Sequence, residues 1–363
     1  MTLVCGSYWI ANSGLSGDYI NGVRKGNVDG IKVIELELPY SNSDSLIKRT
    51  LLFFKYSYVG VRIALSYPYD LLFATSTPLT AGIPGIVAKL LRRKSFIFEV
   101  RDLWPELPRA MGIIKNPIVL KLMDILETLS YKFADRCVAL APGIAQGINQ
   151  KYPQKKVTII PNGSDKFVPD NSIRKFHNKF VAVFTGAHGQ ANGLDAVLDV
   201  ALHLKRIEVV DIQFQFIGDG KLKPHLVERA KTEQLDNCVF LSPMPKHDLF
   251  QYLHENANVG LMVLDNIPAF YNGTSPNKFF DYLSLGLPVL NNYPGWLATL
   301  IESHTCGIVV PPGNIEAFAN ALIQMKDSPS STQLMSHQAV NLSRKDFDRS
   351  FLAQDFVNFL VKE

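Results

Sequence analysis

From Leu71 onward the chain alternates short apolar runs with helix-period patterns. "DLLFATS" (Asp70–Ser76) reads as a strand, and "PLTAGIPGIVAKLLRRK" as a helix with a basic end. "SFIFEVRDL" is a strand reaching a polar loop, "NPIVLKLMDILETLSYKFA" a long amphipathic helix, and "DRCVALAP" and "KVTIIPNG" two more strands. At Pro161-Asn162-Gly163 the rhythm pauses, and the polar stretch up to Lys179 reads as a hinge. Alternation then resumes through "FVAVFTG", "IQFQFIGDG", "NCVFLSP", "ANVGLMVL", "LPVLNNYPG" and "GIVVPPGN", with helical segments between. Such alternation predicts βαβ units and parallel sheets covered on both faces. The expected class is α/β: two doubly wound domains, 1–165 and 166–345. A last helix over 346–363 carries a stripe of Phe351, Leu352, Phe356, Phe359 and Leu360. Two such sheets facing each other would bind a ligand between the carboxyl ends of their strands.

One earlier segment stands apart. "LIKRTLLFFKYSYVGVRIALS" (Leu46–Ser66) has Lys48, Arg49, Lys55 and Arg62, and no acidic residue lies between Asp44 and Asp70. One reading is an interfacial helix on an anionic membrane. The other is an ordinary core-covering helix with a solvated basic face. The aromatics are denser than one buried stripe needs, which favours the membrane.

Length and charge sharpen this picture. The 363 residues, 47% hydrophobic and 19% charged, suit about two globular domains. The small net charge hides an asymmetry: residues 1–160 hold 20 Lys/Arg against 12 Asp/Glu, and the remainder 17 against 21. The basic half is therefore where an anionic partner belongs. Cys5, Cys137, Cys238 and Cys306 have no metal spacing and read as reduced thiols of a cytosolic protein. No apolar run is long enough to span a bilayer, and Met1–Ile10 has no basic leader region.

Candidate chemistry concentrates in "NGTSPNKFFDYLSLGLPV" (Asn272–Val289). Ser275 reads as an N-cap with Pro276 in the first turn, leaving backbone N–H groups that suit a phosphate. Asn277, Lys278 and Asp281 share one face by spacing, with Phe279, Phe280 and Leu283 turned to the core. Lys278 can neutralise a phosphate as a point charge. Asp281 accepts hydrogen bonds only, so a pair of vicinal hydroxyls would satisfy it. Phosphate plus ribose is a nucleotide; the plainer alternative is a solvated Lys278–Asp281 pair.

Three glycine-bearing strand ends add to this. "FTGAHGQANG" offers Gly186, His188 and Gly189, and "IGDGK" offers Gly218 and Lys221. "LSPMP" offers Ser242, Pro243 and Met244, where a flat base could stack. Each is an ordinary βα turn taken alone. In the first half, "FEVRDLWPELPRAMG" packs Glu99, Arg101, Asp102, Trp104, Glu106 and Arg109 behind one strand. Arg101 is read there as a phosphate contact, Glu99 or Asp102 as hydroxyl or proton-transfer groups, and Trp104 as a sugar platform. The alternative is a structural network of Arg with Asp and Glu. The histidines form no HxxxH or HExxH pattern and no DxD motif occurs, so no metal is expected.

"IIPNGSD", "FTGAHGQANGLDAVL", "IGDG", "SPNKFFDYLSLGLPVL" and "GIVVPPGN" resemble, in that order, the retaining family 4 glycosyltransferases of the GT-B fold. "TSTPLTAGIPG" and "FEVRDLWPE" look like its branch of bacterial O-antigen and capsule enzymes, L-fucosamine-type amino-sugar transferases. The resemblance covers essentially the whole chain. It implies two Rossmann-like domains, with a UDP-sugar donor on the second and an undecaprenyl-diphosphate-linked sugar acceptor by the first. It further implies no metal, a last helix crossing back to the first domain, and attachment to the inner face of the cytoplasmic membrane through Leu46–Ser66. No nucleic-acid partner is expected.

By resemblance, Asp281 matches the second carboxylate of the E-x7-E signature, which binds ribose; the first falls at Gly273 and is absent. The family's Arg and Lys after the second domain's first strand fall near Ala187 and Asn192, and its His before Asp appears as Arg101. Diphosphate neutralisation is thus left to Lys278, Lys221 or Arg101. "MTLVCGSYW" looks like the family's second strand, as though a first strand, glycine loop and helix were missing. Either the start lies further upstream or the product is shortened. The donor site implied is Gly186, His188, Gly189, Gly218, Lys221, Pro243, Ser275, Asn277, Lys278 and Asp281. Glu99, Arg101, Asp102 and Lys278 would be catalytic, and Trp104, Glu106 and Arg109 would hold the acceptor. Two rival readings are a UDP-sugar epimerase of similar architecture and an inactive membrane-associated homologue.

Overall fold

The computed structural model describes residues 1–8, 13–40, 44–167 and 179–361. Residues 168–178 of the expected hinge lie outside the described residues. The chain forms two compact units: Met1–Ala139 with Ala145–Thr158, and Leu140–Ile144 with Ile159–Glu363.

The first unit contains β1 (Thr2–Tyr8), β2 (Val23–Val28), β3 (Ile31–Tyr40), α1 (Leu46–Ser66), β4 (Leu71–Thr75) and α2 (Gly82–Arg92). It continues through β5 (Ser95–Val100), α3 (Glu106–Ala110), α4 (Pro117–Phe133), β6 (Arg136–Ala139), α5 (Pro142–Lys151, from Ala145 on) and β7 (Val157–Ile159, up to Thr158). Its strands form two sheets, ordered β1-β3-β2 and β4-β5-β6-β7. Alternation read from Leu71 onward does not reach the first of these. There β2 and β3 pair antiparallel through an Asp29-Gly30 turn, both residues at positive φ, the backbone that two-residue hairpins require.

Helix α1 is built to pack on two sides. Ser45 caps it by accepting a hydrogen bond from the Lys48 amide at 3.3 Å. Its small buried residues Ser57, Gly60 and Ala64 face α2. A Cβ on Gly60 would lie 2.9 Å from Pro84. Leu52, Tyr56, Val59 and Ile63 pack against Ile34, Leu36 and Leu38 of β3. The third side is left outward. It carries Ile47, 75% exposed, with Leu51, Phe54 and Tyr58, interleaved with exposed Lys48, Lys55 and Arg62. The outward face therefore carries apolar and basic residues together.

The second unit runs β8 (Phe180–Thr185), α6 (Asp195–Arg206), β9 (Ile212–Ile217), α7 (Lys223–Thr232), β10 (Cys238–Leu241) and α8 (Lys246–Asn256). Then come β11 (Val259–Met262), α9 (Asn277–Ser284), β12 (Val289–Asn291), α10 (Trp296–Ser303) and β13 (Gly307–Val309). Helices α11 (Ile315–Asp327), α12 (Pro329–Asp346) and α13 (Arg349–Val361) complete it. One parallel sheet, ordered β10-β9-β8-β11-β12-β13, carries a core on each face. On one face Phe184, Phe214, Phe216, Leu261 and Leu322 are buried; on the other Phe279, Phe280, Tyr282 and Leu297. In α13 the predicted stripe divides, with Phe359 buried and Phe351 exposed.

Candidate functional site

Strand register gathers the glycine loops of the second unit. Thr185, the last residue of β8, lies opposite Ile217 of β9, and Ile217 opposite Leu241 of β10. The three strand ends are therefore level, and the loops after them stack. The Gly186 amide donates to the Ile217 carbonyl at 2.9 Å and the His188 amide to Asp219 O at 2.9 Å. The Leu222 amide returns to His188 O at 3.0 Å. Gly186 and Gly218 both have φ in the left-handed region, and a Cβ on Gly218 would sit 2.0 Å from Gly186 O. Only glycine permits that approach. The Lys223 ammonium ties the stack from below, donating to Gly218 O at 2.7 Å and Leu241 O at 2.8 Å.

His188 is fully buried among Phe184, Phe216 and Phe240, and neither ring nitrogen has a hydrogen-bond partner. Burial, reinforced by Lys223, pushes its pKa down to about 4. Its ring is thus a neutral prop, and its backbone lines the loop. Lys221 and Pro243 are exposed on the neighbouring turns.

Helix α9 faces this stack. It starts at Asn277, one residue later than its sequence predicts, with Pro276 at the cap. Ser275 does not cap it, because its hydroxyl is turned to the Pro161-Asn162-Gly163 turn. There Oγ accepts from the Asn162 amide at 3.2 Å, and Asn162 Nδ2 donates to the Ser275 carbonyl at 2.5 Å. Phe279, Phe280, Tyr282 and Leu283 are buried. Tyr282, unweighed in the sequence, holds the end of β8: its Oη accepts from the Thr185 amide at 2.9 Å.

The polar residues of α9 do not act as one stripe. Asn277 is exposed. The Lys278 ammonium lies 3.6 Å from the Phe184 ring centroid and donates to Asn192 Oδ1 at 3.3 Å. It would be 3.6 Å from a Cβ on Gly186. Burial pushes its pKa down to about 7, and among the described residues no carboxylate pairs with it. Asp281 turns elsewhere. Its Oδ1 accepts from Ser164 Oγ at 2.8 Å and pairs with Lys246 Nζ at 3.2 Å. The simple Lys278–Asp281 pair is therefore not formed. Ser164 and Lys246 were missed as site residues, although Ser164 stands in "IIPNGSD" and Lys246 directly follows "LSPMP": they are 117 and 35 positions from Asp281, and neither fits a spacing rule.

In the first unit the strand-end cluster is held by threonines and serine. Thr75 Oγ1 donates to Glu99 Oε2 at 2.5 Å, and the Arg101 amide donates to Ser76 Oγ at 2.8 Å. Thr77, at φ 80°, donates to Asp102 Oδ2 at 3.2 Å. Burial holds the Asp102 carboxyl above the usual carboxylate range, against the opposing pull of Thr77 and Arg101. Trp104 Nε1 is buried with no partner. Arg109 pairs with Asp124 of α4 at 2.8 Å, an ion pair of the kind the structural reading of the charged loop expects. Glu106 is exposed at the start of α3. Among the described residues no group of three or more His, Cys, Asp or Glu gathers as a metal site.

Two family descriptions match the chain in succession. "Glycosyl transferase 4-like domain" matches residues 6–163, and "Glycosyl transferases group 1" matches residues 179–328. Both descriptions are of glycosyltransferase domains. Solved structures of the GT-B fold agree in architecture. Anabaena HepE in complex with UDP superposes with a TM-score of 0.65 at 17% identity, covering 91% of this chain and 85% of that one. Sucrose-phosphate synthase from Thermosynechococcus elongatus gives 0.72 at 14% identity, covering 93% and 84%. At such identities these likenesses establish the fold alone. Among curated proteins, the alpha-D-kanosaminyltransferase of Streptomyces kanamyceticus is 23% identical over 170 residues, 47% of this chain. The match spans 42% of that relative, less than half its length. Among the described residues no helix is long and apolar enough to cross a membrane.

Proposed function

We propose that this chain transfers a sugar, an N-acetylamino sugar by the family branch, from a UDP-sugar to a lipid-diphosphate-linked sugar acceptor with retention. The setting we infer is O-antigen or capsular polysaccharide synthesis on the inner face of the cytoplasmic membrane. The observation that carries the reading is Lys278: a half-buried ammonium without a carboxylate, set beside Gly186 at the start of α9. A buried cation lacking a counter-ion is unfavourable until an anion arrives. A nucleoside diphosphate supplies that anion, and UDP bound to HepE, which shares the fold, supports this choice.

In this reading the diphosphate lies on the amides after Gly186 and at the α9 start, neutralised by Lys278 and Lys221. Asp281, already oriented by Ser164 and Lys246, takes a ribose hydroxyl, and Pro243 backs the base. On the first unit, Arg101, Glu99, Asp102 and Trp104 hold the acceptor. The acceptor hydroxyl attacks C1 of the sugar on the face from which the phosphate leaves. A C–O bond to the acceptor forms, the C–O bond to UDP breaks, and the proton passes to the leaving phosphate oxygen. Helix α1 lays its outward face on the anionic lipid surface.

The test is to incubate the chain with UDP-N-acetylamino sugars and a lipid-diphosphate sugar, and to read the linkage of the product by NMR. A lipid product with the donor's anomeric configuration is expected, and Lys278→Met should abolish it. An inverted product would overturn retention. A UDP-sugar altered without acceptor would replace transfer with epimerisation.

A further inference from the structure

We propose that α4 is a second membrane-inserting element, which with α1 seats the first unit on an anionic bilayer. This rests on the membrane reading of α1 given above and extends it to a helix whose sequence reads only as amphipathic. Helices α1 and α4 flank α2 in one layer. Ser57 of α1 donates to Thr80 O, before α2, at 2.8 Å, and a Cβ on Gly82 would meet Ser130 of α4 at 2.5 Å. The inner side of α4 is fully used by buried Glu127, Ser130 and Tyr131.

Its outer side is not. Ile118 is 69% exposed and Leu122 61%, with Val119 and Ile125 also exposed. Ile118, Leu122 and Ile125 are spaced i, i+4, i+7, so one stripe along the first two turns is apolar and outward. A single exposed aliphatic is ordinary; a stripe on a helix is not. Lys115 and Lys121 are exposed beside it, and the nearby carboxylate, Asp124, is already neutralised by Arg109. The outward face of α1 repeats the composition, with Lys48, Lys55 and Arg62 among Ile47, Leu51 and Phe54. Lys48 pairs with Asp44 at 2.6 Å, but apolar side chains set among exposed Lys55, Arg62, Lys115 and Lys121 complement an anionic headgroup layer, with aliphatic tails just below it.

The position has a consequence for the site. The charged loop from Arg101 runs through α3 and Ile113 straight into the Asn116 cap of α4, where Asn116 Oδ1 accepts from the Ile118 amide at 2.9 Å. Inserting Ile118 and Leu122 would hold that loop at the lipid surface. A lipid-diphosphate acceptor could then be met with its tail still in the bilayer.

Vesicle co-sedimentation of the full chain tests this, using phosphatidylcholine vesicles with and without phosphatidylglycerol. The wild type should bind the anionic vesicles and release with salt. Ile118→Glu/Leu122→Glu should weaken binding by roughly tenfold or more, from the apolar burial lost. Leu51→Glu/Phe54→Glu should do the same, and the combination should be worse than either. Melting curves should stay at the wild-type position, because these side chains are exposed. An Ile118→Trp variant should be quenched by brominated lipid, and Leu334→Trp on exposed α12 should not. If the α1 pair abolishes binding while the α4 pair leaves it unchanged, the α4 proposal fails and the α1 reading stands. If wild type ignores anionic vesicles, both fail. A stable dimer that shields Ile118→Trp from lipid would make the occupant a second copy, and would also overturn the proposal.

Discussion

Helices α1 and α9 invert one another. In α9 every large apolar side chain is buried, and the polar residues divide between a lysine held against Phe184 and Asn192 and an aspartate tethered to Ser164. In α1 the buried residues facing α2 are small, while large apolar residues stand outside among lysines and arginines. Both are amphipathic by periodicity. What separates them is which side the rest of the unit has already covered. Apolar surface left outside the core is a cost unless something else removes it from water. On the proposals made above, this contrast is what would make α9 the scaffold of a donor site and α1 half of a docking surface.

The sharpest way to break this contrast is truncation. Phe279→Ala, in the core under the sheet, should cost about 3–5 kcal/mol in urea unfolding. Phe54→Ala on α1 should change stability by no more than about 0.5 kcal/mol and should lower anionic vesicle binding instead. An equal loss of stability at both sites would mean that α1 is an ordinary core helix.

Next in size are the glycine loops that α9 faces. Gly218→Ala places a Cβ against the Gly186 carbonyl and should destabilise by about 1–3 kcal/mol. Gly189→Ala meets nothing within 4 Å and should melt like the wild type while donor affinity is tested separately. Asp281→Ala should raise the donor KM by roughly tenfold or more, the scale of one charge-assisted hydrogen bond. An unchanged KM would remove Asp281 from the donor site.

The smallest effect, and the most diagnostic, is the pH response of Lys278. Its folded pKa is depressed to about 7 from 10.5 by burial. Between those values the unfolded chain keeps a proton that the folded chain has released, so stability rises with pH across that window and is lowest below it. Binding of UDP favours the protonated form, so the affinity should fall with rising pH above about 7, by at most tenfold per unit. Calorimetric titrations above pH 7.5 should show this slope in the wild type and none in Lys278→Met. A slope retained in that variant would assign it to another group.

Much was legible in the chain itself. The strand–helix alternation, the glycine turns and the buried Phe279, Phe280 and Leu283 of α9 are local patterns, and local patterns follow from backbone geometry and periodicity. The partners were not. Arg109 pairs with Asp124, a partner on α4 that no spacing in the charged loop names. Ser275 reads as a cap until Asn162 claims it. Asp281 reads as the partner of Lys278 three residues away until Ser164 and Lys246 arrive from distant turns. Sequence spacing defines which residues share a face, and that was enough to find the elements and to suspect the site. Which face is covered, and by what, depends on strand order and crossover connections that bring remote segments together. Only the tertiary structure decided that, among the described residues, the lysine of α9 has no carboxylate partner and that apolar residues of α1 and α4 face outward.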